Sequence, residues 1–271
     1  MKFEIITIFP DFFRGPLDYG IVRRAREAGL IEIGIHDLRA FAHDRHRTVD
    51  DRPFGGGEGM VLKPDPIFEC LEWLAVGPRE ERIGESARES VVLLSPQGRM
   101  FTQSVAQEMM SRERIVLICG RYEGVDERVT EHLADREISV GDFVLSGGEL
   151  AAAIIVDAMT RLVPEALGNA ASSQQESFTA STGDVKAILP GVPPSSTCSS
   201  GGLLDYPHYT RPAEFRGMPV PQVLVNGNHD EIRKWRRRCA LRKTLHNRPD
   251  LLRQGVLSDE DQKLLREIEL E

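Results

Sequence analysis

The chain has 271 residues, with 34 Lys and Arg against 42 Asp and Glu, and a formal net charge of −8 at pH 7. Hydrophobic residues at 41% and charged residues at 28% exclude a wholly disordered chain and leave room for one large domain or two modest ones. The best apolar run, 150–159, is shorter than a membrane helix and contains Asp157, while Glu4 and Pro10 argue against a signal peptide.

The first 165 residues alternate strand and helix patterns. Residues 3–9 form a β-branched apolar run, 19–28 read as a helix stopped by Gly29, and 31–35 as a short strand. A glycine-rich loop follows, then helical spacing at Ile67, Leu71 and Leu74, then a charged, aperiodic surface linker at 77–89. Strands are predicted at 91–94, 115–119 and 138–140, separated by helices at 102–111 and 126–134, with a last helix at 149–162. Buried strands alternating with helices predict an α/β fold with a mostly parallel sheet covered on both faces. Strand order is not readable from this pattern.

Residues 168–202 are rich in Ser, Gly, Pro, Thr and Ala and read as a flexible linker between a domain at 1–167 and a small helical domain at 203–271. In the latter, 228–231 read as a capping box opening a helix that ends before Pro249, and Ser258 opens a final helix with Leu264, Leu265 and Ile268 on one face. Cys70, Cys119, Cys198 and Cys239 form no Cys-x-x-Cys pair, so a zinc ribbon is excluded and a reduced, cytoplasmic protein is expected.

Three loops begin where buried strands end: LSPQGR at 94–99, GRYEG at 120–124 and VGDFVLSGGE at 140–149. Ligands collect outside the carboxyl ends of strands in open α/β sheets, and glycine lets the backbone approach them. Taken singly, each loop reads as ordinary turn glycines; three on consecutive units point to a shared pocket. No P-loop and no G-x-G-x-x-G after the first strand occur, which argues against a phosphate string and a nicotinamide dinucleotide.

The polar stretch 42–60 places His43 and His46 three residues apart, but a metal lacks a third ligand at plausible spacing, and the segment reads as a binding loop for an anionic partner. Eight basic residues and no acid lie between Arg233 and Arg248. Such a segment suits either a phosphate backbone or a solvated helix face. Trp235, three residues after Ile232, reads as core.

Six strings, HDRHRTVDD at 43–51, LSPQG at 94–98, CGRYEG at 119–124, VGDFVLSGGE at 140–149, LLDYPHYTRP at 203–212 and NGNH at 226–229, resemble the bacterial tRNA (guanine-N1)-methyltransferase family along almost the whole chain. The resemblance implies a trefoil knot at the C-terminal end of the first domain, formed by the three loops, and a homodimer with shared active sites. It also implies S-adenosyl-L-methionine as donor and the guanosine at tRNA position 37, just 3′ of the anticodon, as acceptor. The cofactor would lie among Leu94, Ser95, Pro96, Gly120, Tyr122, Glu123, Val140, Gly141, Asp142, Phe143, Val144, Leu145, Gly147 and Gly148. Substrate contacts would fall on His46, Asp50, Gly59, His208, Tyr209, Arg211, Arg233 and Arg237.

Methylation at N1 needs a base near that nitrogen and a cation near O6. The motif puts the cation at Arg161 and the base at Glu176, where the family normally has aspartate. Reference pKa values of about 4.3 and 3.9 keep basicity through that exchange. Residues 179–201 form an insertion relative to the family's short connection, and loop entropy grows slowly enough to tolerate it. A catalytically lapsed tRNA-binding protein of the same fold is the competing expectation.

Overall fold

The computed structural model describes residues 1–84, 86–168, 176–179, 202–254 and 257–270. The chain divides into two compact units, Met1–Asn169 and Ala170–Glu271.

The first unit is a five-stranded parallel sheet in the order β2-β1-β6-β5-β7. Its strands are β1 (Lys2–Thr7), β2 (Glu32–Asp37), β5 (Glu89–Met100), β6 (Arg114–Cys119) and β7 (Arg136–Ser139); the two-residue strands β3 (Asp50–Asp51) and β4 (Val61–Leu62) pair separately. The helices are α1 (Gly20–Glu27), α2 (Pro64–Trp73), α3 (Gln103–Met109), α4 (Glu127–His132) and α5 (Glu149–Thr160). The period of two explains why both faces are covered. Phe3 and Ile5 of β1, Val92 and Leu94 of β5, and Ile115 and Leu117 of β6 join one core with Val22, Val105 and Ile155 from α1, α3 and α5. The alternate residues, Ile6, Val91, Leu93, Val116 and Ile118, join a second core with Ile67, Leu71 and Val129 from α2 and α4. Each such side chain contributes about 1.5–3 kcal/mol by leaving water.

The structure departs from the sequence expectation at two places in this unit. The predicted linker 77–89 contains a short 3-10 turn, Arg79–Arg82, whose Arg82 is buried. Its guanidinium meets Asp135 at 3.0 Å and the carbonyls of Gly77 and Leu133, which offsets the cost of taking the charge out of water. A run of charges signals solvent only until a buried partner is found for one of them. The second correction concerns β5, which does not end at Leu94. Leu94 and Arg99 both pair with Ile138, so 95–98 bulge out of the ladder and the strand then resumes. Gly98 permits the return, since a Cβ there would collide with the Ile138 nitrogen and the Glu137 carbonyl.

In the second unit, α6 (His229–Asn247), α7 (Pro249–Gln254) and α8 (Asp259–Glu269) surround Leu203, Leu241 and Ile268. Asn228 caps α6 by accepting from the amides of Asp230 and Glu231, but the Glu231 carboxylate takes Asn226 Nδ2, so the predicted capping box is absent there. The reciprocal box is at Ser258 and Asp261, opening α8. The unit also holds a small antiparallel pair, β8 (Glu214–Phe215) and β9 (Met218–Pro219), that the helical pattern did not suggest.

The predicted linker straddles both units. Residues 169–175 and 180–201 lie outside the described residues. The four between them are fastened to the second unit: Phe178 N donates to Leu203 O, Asp205 N to Ser177 Oγ, and Gly202 N to Thr179 O at 2.7 Å. The insertion therefore leaves and returns at one hydrogen-bonded point.

Asp261 also anchors this unit, 2.6 Å from Arg237 Nε. Burial pushes its carboxyl up, but Arg237 and Ser258 outweigh that and hold it below the usual 3.8. A carboxylate with a depressed folded-state pKa stabilises above its unfolded pKa and loses that contribution as pH falls through the folded value. Unfolding monitored at Trp235 is expected to shift to lower urea as pH drops below about 4, with the slope reduced in Asp261→Asn.

Candidate active site

A cavity of about 280 Å³ opens at the bulge of β5 and the carboxyl ends of β6 and β7. Twelve of the fourteen predicted cofactor residues line it: Leu94, Ser95, Pro96, Gly120, Tyr122, Glu123, Val140, Phe143, Val144, Leu145, Gly147 and Gly148. Gly141 and Asp142 do not. Gly141 instead lies under Phe143, leaving the room that a Cβ would take from that ring, and Ser139 Oγ accepts from its amide. Sequence reading missed Glu127, Thr130 and Glu137 as lining groups. An acid inside a buried strand, as at Glu137, was the available signal.

The loops touch one another through backbone. Gly148 N donates to Gly120 O at 2.9 Å, and Arg121 bridges Gly147. A Cβ on Gly148 would stand 2.8 Å from Cys119 Cα, and one on Gly120 would stand 2.8 Å from Leu94 O. Only glycine allows this approach. Tyr122 adopts a left-handed φ of 60°, which turns Tyr122 and Glu123 toward the opening.

The charge of the lining is unusual for a nucleotide site. Its ionisable carboxylates are Glu123, Glu127 and Glu137, and its guanidinium, Arg121, is already paired with Glu149 at 3.2 Å. Such a wall disfavours phosphates and favours a cation. Burial of Cys119 pushes its thiol up, as does burial at Cys70, to about 12, so both are neutral core residues; Cys239 is also free, and Cys198 lies outside the described residues.

The hairpin formed by β3 and β4 runs beside the second loop, with Glu123 N donating to Met60 O and Leu62 N to Gly124 O, both at 3.0 Å. Two predicted substrate residues arrive with it. Asp50 sits against Tyr122, whose phenol is raised by burial and by that carboxylate, and a Cβ on Gly59 would lie 2.5 Å from Glu123 Cγ. His46 stays exposed on a turn held by Asp44, and His43 Nε2 meets Glu69 at 2.7 Å.

Arg161 closes α5, its amide bonded to Asp157 O, and Glu176 is half-buried in the second unit. There the LLDYPHYTRP string packs on α6. Leu204 N donates to Thr244 Oγ1, Arg236 lies over Tyr206 at 4.8 Å, and Tyr209 approaches the half-buried Trp235 at 6.3 Å. His208 Nε2 is 2.9 Å from Asp205, and Arg211 is exposed.

The basic run is less exposed as charge than its sequence suggests. Arg237 is bound by Asp261, Arg238 by Glu267 at 3.3 Å, and Arg233 reaches Glu260 at 3.9 Å. Acids of α8 thus offset part of a charge that looked uncompensated in sequence.

The model of tRNA (Guanine-1)-methyltransferase TrmD matches residues 1–254. The chain belongs to this family. Among its relatives is the tRNA (guanine-N(1)-)-methyltransferase of Koribacter versatilis, 68% identical over 268 residues that cover 99% of this chain and 98% of that one. Proteins of the same name from Geobacter metallireducens and Dehalococcoides mccartyi are 48% and 47% identical, covering 99% of this chain and 98% and 97% of theirs. Among the described residues no helix is long and apolar enough to cross a membrane.

Proposed function

We propose that the protein transfers a methyl group from S-adenosyl-L-methionine to N1 of guanosine 37 of tRNA, in the cytoplasm and as a homodimer. One observation carries the cofactor reading: a glycine-cradled cavity whose carboxylates exceed its unpaired cations. A sulfonium cation attached to an adenosine and an amino acid fits that wall, where a polyphosphate would be repelled. The cofactor, when bound, supplies an electrophilic methyl group.

The chain's own residues do the rest. Backbone groups of the 94–98, 120–124 and 140–148 loops hold the donor, and Phe143 and Leu145 give it apolar surface to lie on. Asp50 and Gly59, brought to the rim by the β3–β4 hairpin, orient the guanine. Glu176 takes the N1 proton while Arg161 stabilises the charge that moves to O6. The trefoil knot belongs to the same reading, supported by loops so closely packed that only glycine fits between them. Dimerisation is supported by Leu150 and Ile154, half-exposed four residues apart on α5, and by exposed Phe143 and Val144 in the loop that leads into that helix.

Transfer of labelled methyl to an unmodified tRNA transcript, with an adenosine-37 control, tests the reaction. Incorporation into the first transcript alone is expected; tRNA binding without turnover would favour the lapsed binder. The exposed Lys234 and Lys243 are assigned the phosphate contacts that the paired Arg237 is not free to make alone. Each change to alanine is expected to lower the slope of log affinity against log salt by about 1. Arg237→Ala is expected to act mainly on the stability of the second unit.

A further inference from the structure

The loops around the cavity are braced from behind by a buried carboxylate with no part in the chemistry above. Glu149 is the first residue of α5 and is 2% exposed. Its Oε1 accepts from Thr7 Oγ1, at the end of β1, at 2.8 Å. Its Oε2 lies 3.2 Å from both Nε and Nη2 of Arg121, just beyond β6. Thr7 Oγ1 in turn accepts from Phe9 N at 3.0 Å, and the Arg121 guanidinium rests 4.4 Å from the Phe9 ring centre. The contacts close a ring from Phe9 through Thr7, Glu149 and Arg121 back to Phe9.

This ring takes up space that the loops concede. A Cβ on Gly147 would collide with Arg121 Nε and lie 2.5 Å from Glu149 Oε2. Glu149 also begins a helix, where unpaired amides favour a negative charge. Of the four members only Arg121 lines the cavity, and Tyr122 and Glu123 follow it directly. Arg121 bridges Gly147, and Gly120 O accepts from Gly148. One carboxylate thereby sets the spacing between the second and third loops and ties both to β1.

We infer that Glu149 is a positioning residue for the cofactor pocket, holding the 120–123 and 146–148 loops at the separation that admits S-adenosylmethionine. The inference rests on the cofactor reading above. Calorimetric titration with S-adenosylmethionine, hydrogen exchange of the two loops, and kcat and KM on a tRNA transcript test it in Glu149→Gln, Glu149→Asp and Thr7→Val.

Glu149→Gln is expected to raise Kd and KM for S-adenosylmethionine about tenfold or more, with kcat at saturation changed by less than about threefold. Exchange should quicken in both loops and not in the second unit. Glu149→Asp should recover part of the affinity, and Thr7→Val should move Kd the same way by a smaller factor. Adding Glu149→Gln to Arg121→Met should cost nothing further. Wild-type Kd and loop exchange in folded Glu149→Gln would overturn the inference, as would an equal fall in kcat and affinity. If that variant does not fold, unchanged Kd and exchange in Thr7→Val overturn it. Wild type that binds no S-adenosylmethionine overturns the cofactor reading and this inference together.

Discussion

Glu176→Gln is expected to lower methyl transfer about 10²–10⁴-fold while leaving S-adenosylmethionine affinity within about twofold. The amide keeps the size and polarity of the side chain but cannot accept the N1 proton, so the loss should fall on kcat. The backbone carrying Glu176 is held by hydrogen bonds within its own unit. Thr179 N donates to Glu176 O at 3.3 Å, and the next residues are bonded to Leu203 and Asp205. These bonds join Glu176 and its neighbours to residues on the far side of the insertion, Gly202 N closing the point on Thr179 O. Glu176→Asp shortens the side chain by one methylene, and a base must reach about 2.6–3.2 Å from its proton. An intermediate loss is therefore expected, because the carboxylate is kept but withdrawn by about one bond length. Full activity in Glu176→Gln would move the base elsewhere. Asp205 is the less attractive alternative, since its carboxylate already accepts from Tyr206 N and faces His208.

Gly148→Ala is expected to lose S-adenosylmethionine binding by about 100-fold or more and to lower stability by about 1–3 kcal/mol. The new methyl would stand 2.8 Å from Cys119 Cα and 3.1 Å from Gly120 N, both backbone atoms that no rotamer change can clear. Relief requires moving the third loop away from β6, which breaks the Gly148–Gly120 hydrogen bond and reshapes the cavity wall. Urea unfolding and calorimetry on the same protein separate the two effects. Gly168→Ala is the control: among the described residues its Cβ meets nothing within 4 Å, so changes within about 0.5 kcal/mol and unaltered binding are expected.

The elements themselves were legible because their causes are local. The apolar runs of β1 and β6, the Thr102 and Ser258 caps, and Gly29 at φ 70° act over a few residues, and each predicted element recurs within a few residues of its place. The three strings around the pocket were legible for a related reason: close backbone approach demands glycine at particular positions, and glycine is visible in sequence. What stayed hidden depends on partners far along the chain. Arg82 looked solvated because Asp135 lies 53 residues away, and the basic run of α6 looked uncompensated because Glu260, Asp261 and Glu267 lie on α8.

By itself, then, the sequence determined a parallel α/β unit, a helical unit, the glycine loops of the pocket and, through six ordered strings, the family. Tertiary structure alone decided the strand order, the return of β5 after its bulge, and which charges are spent inside the protein. It also decided that Thr7 and Glu149, 142 residues apart, meet behind the pocket. Sequence patterns report the periodicity and backbone demands of neighbours, whereas pairing a buried charge is settled only when distant segments share one low-dielectric space.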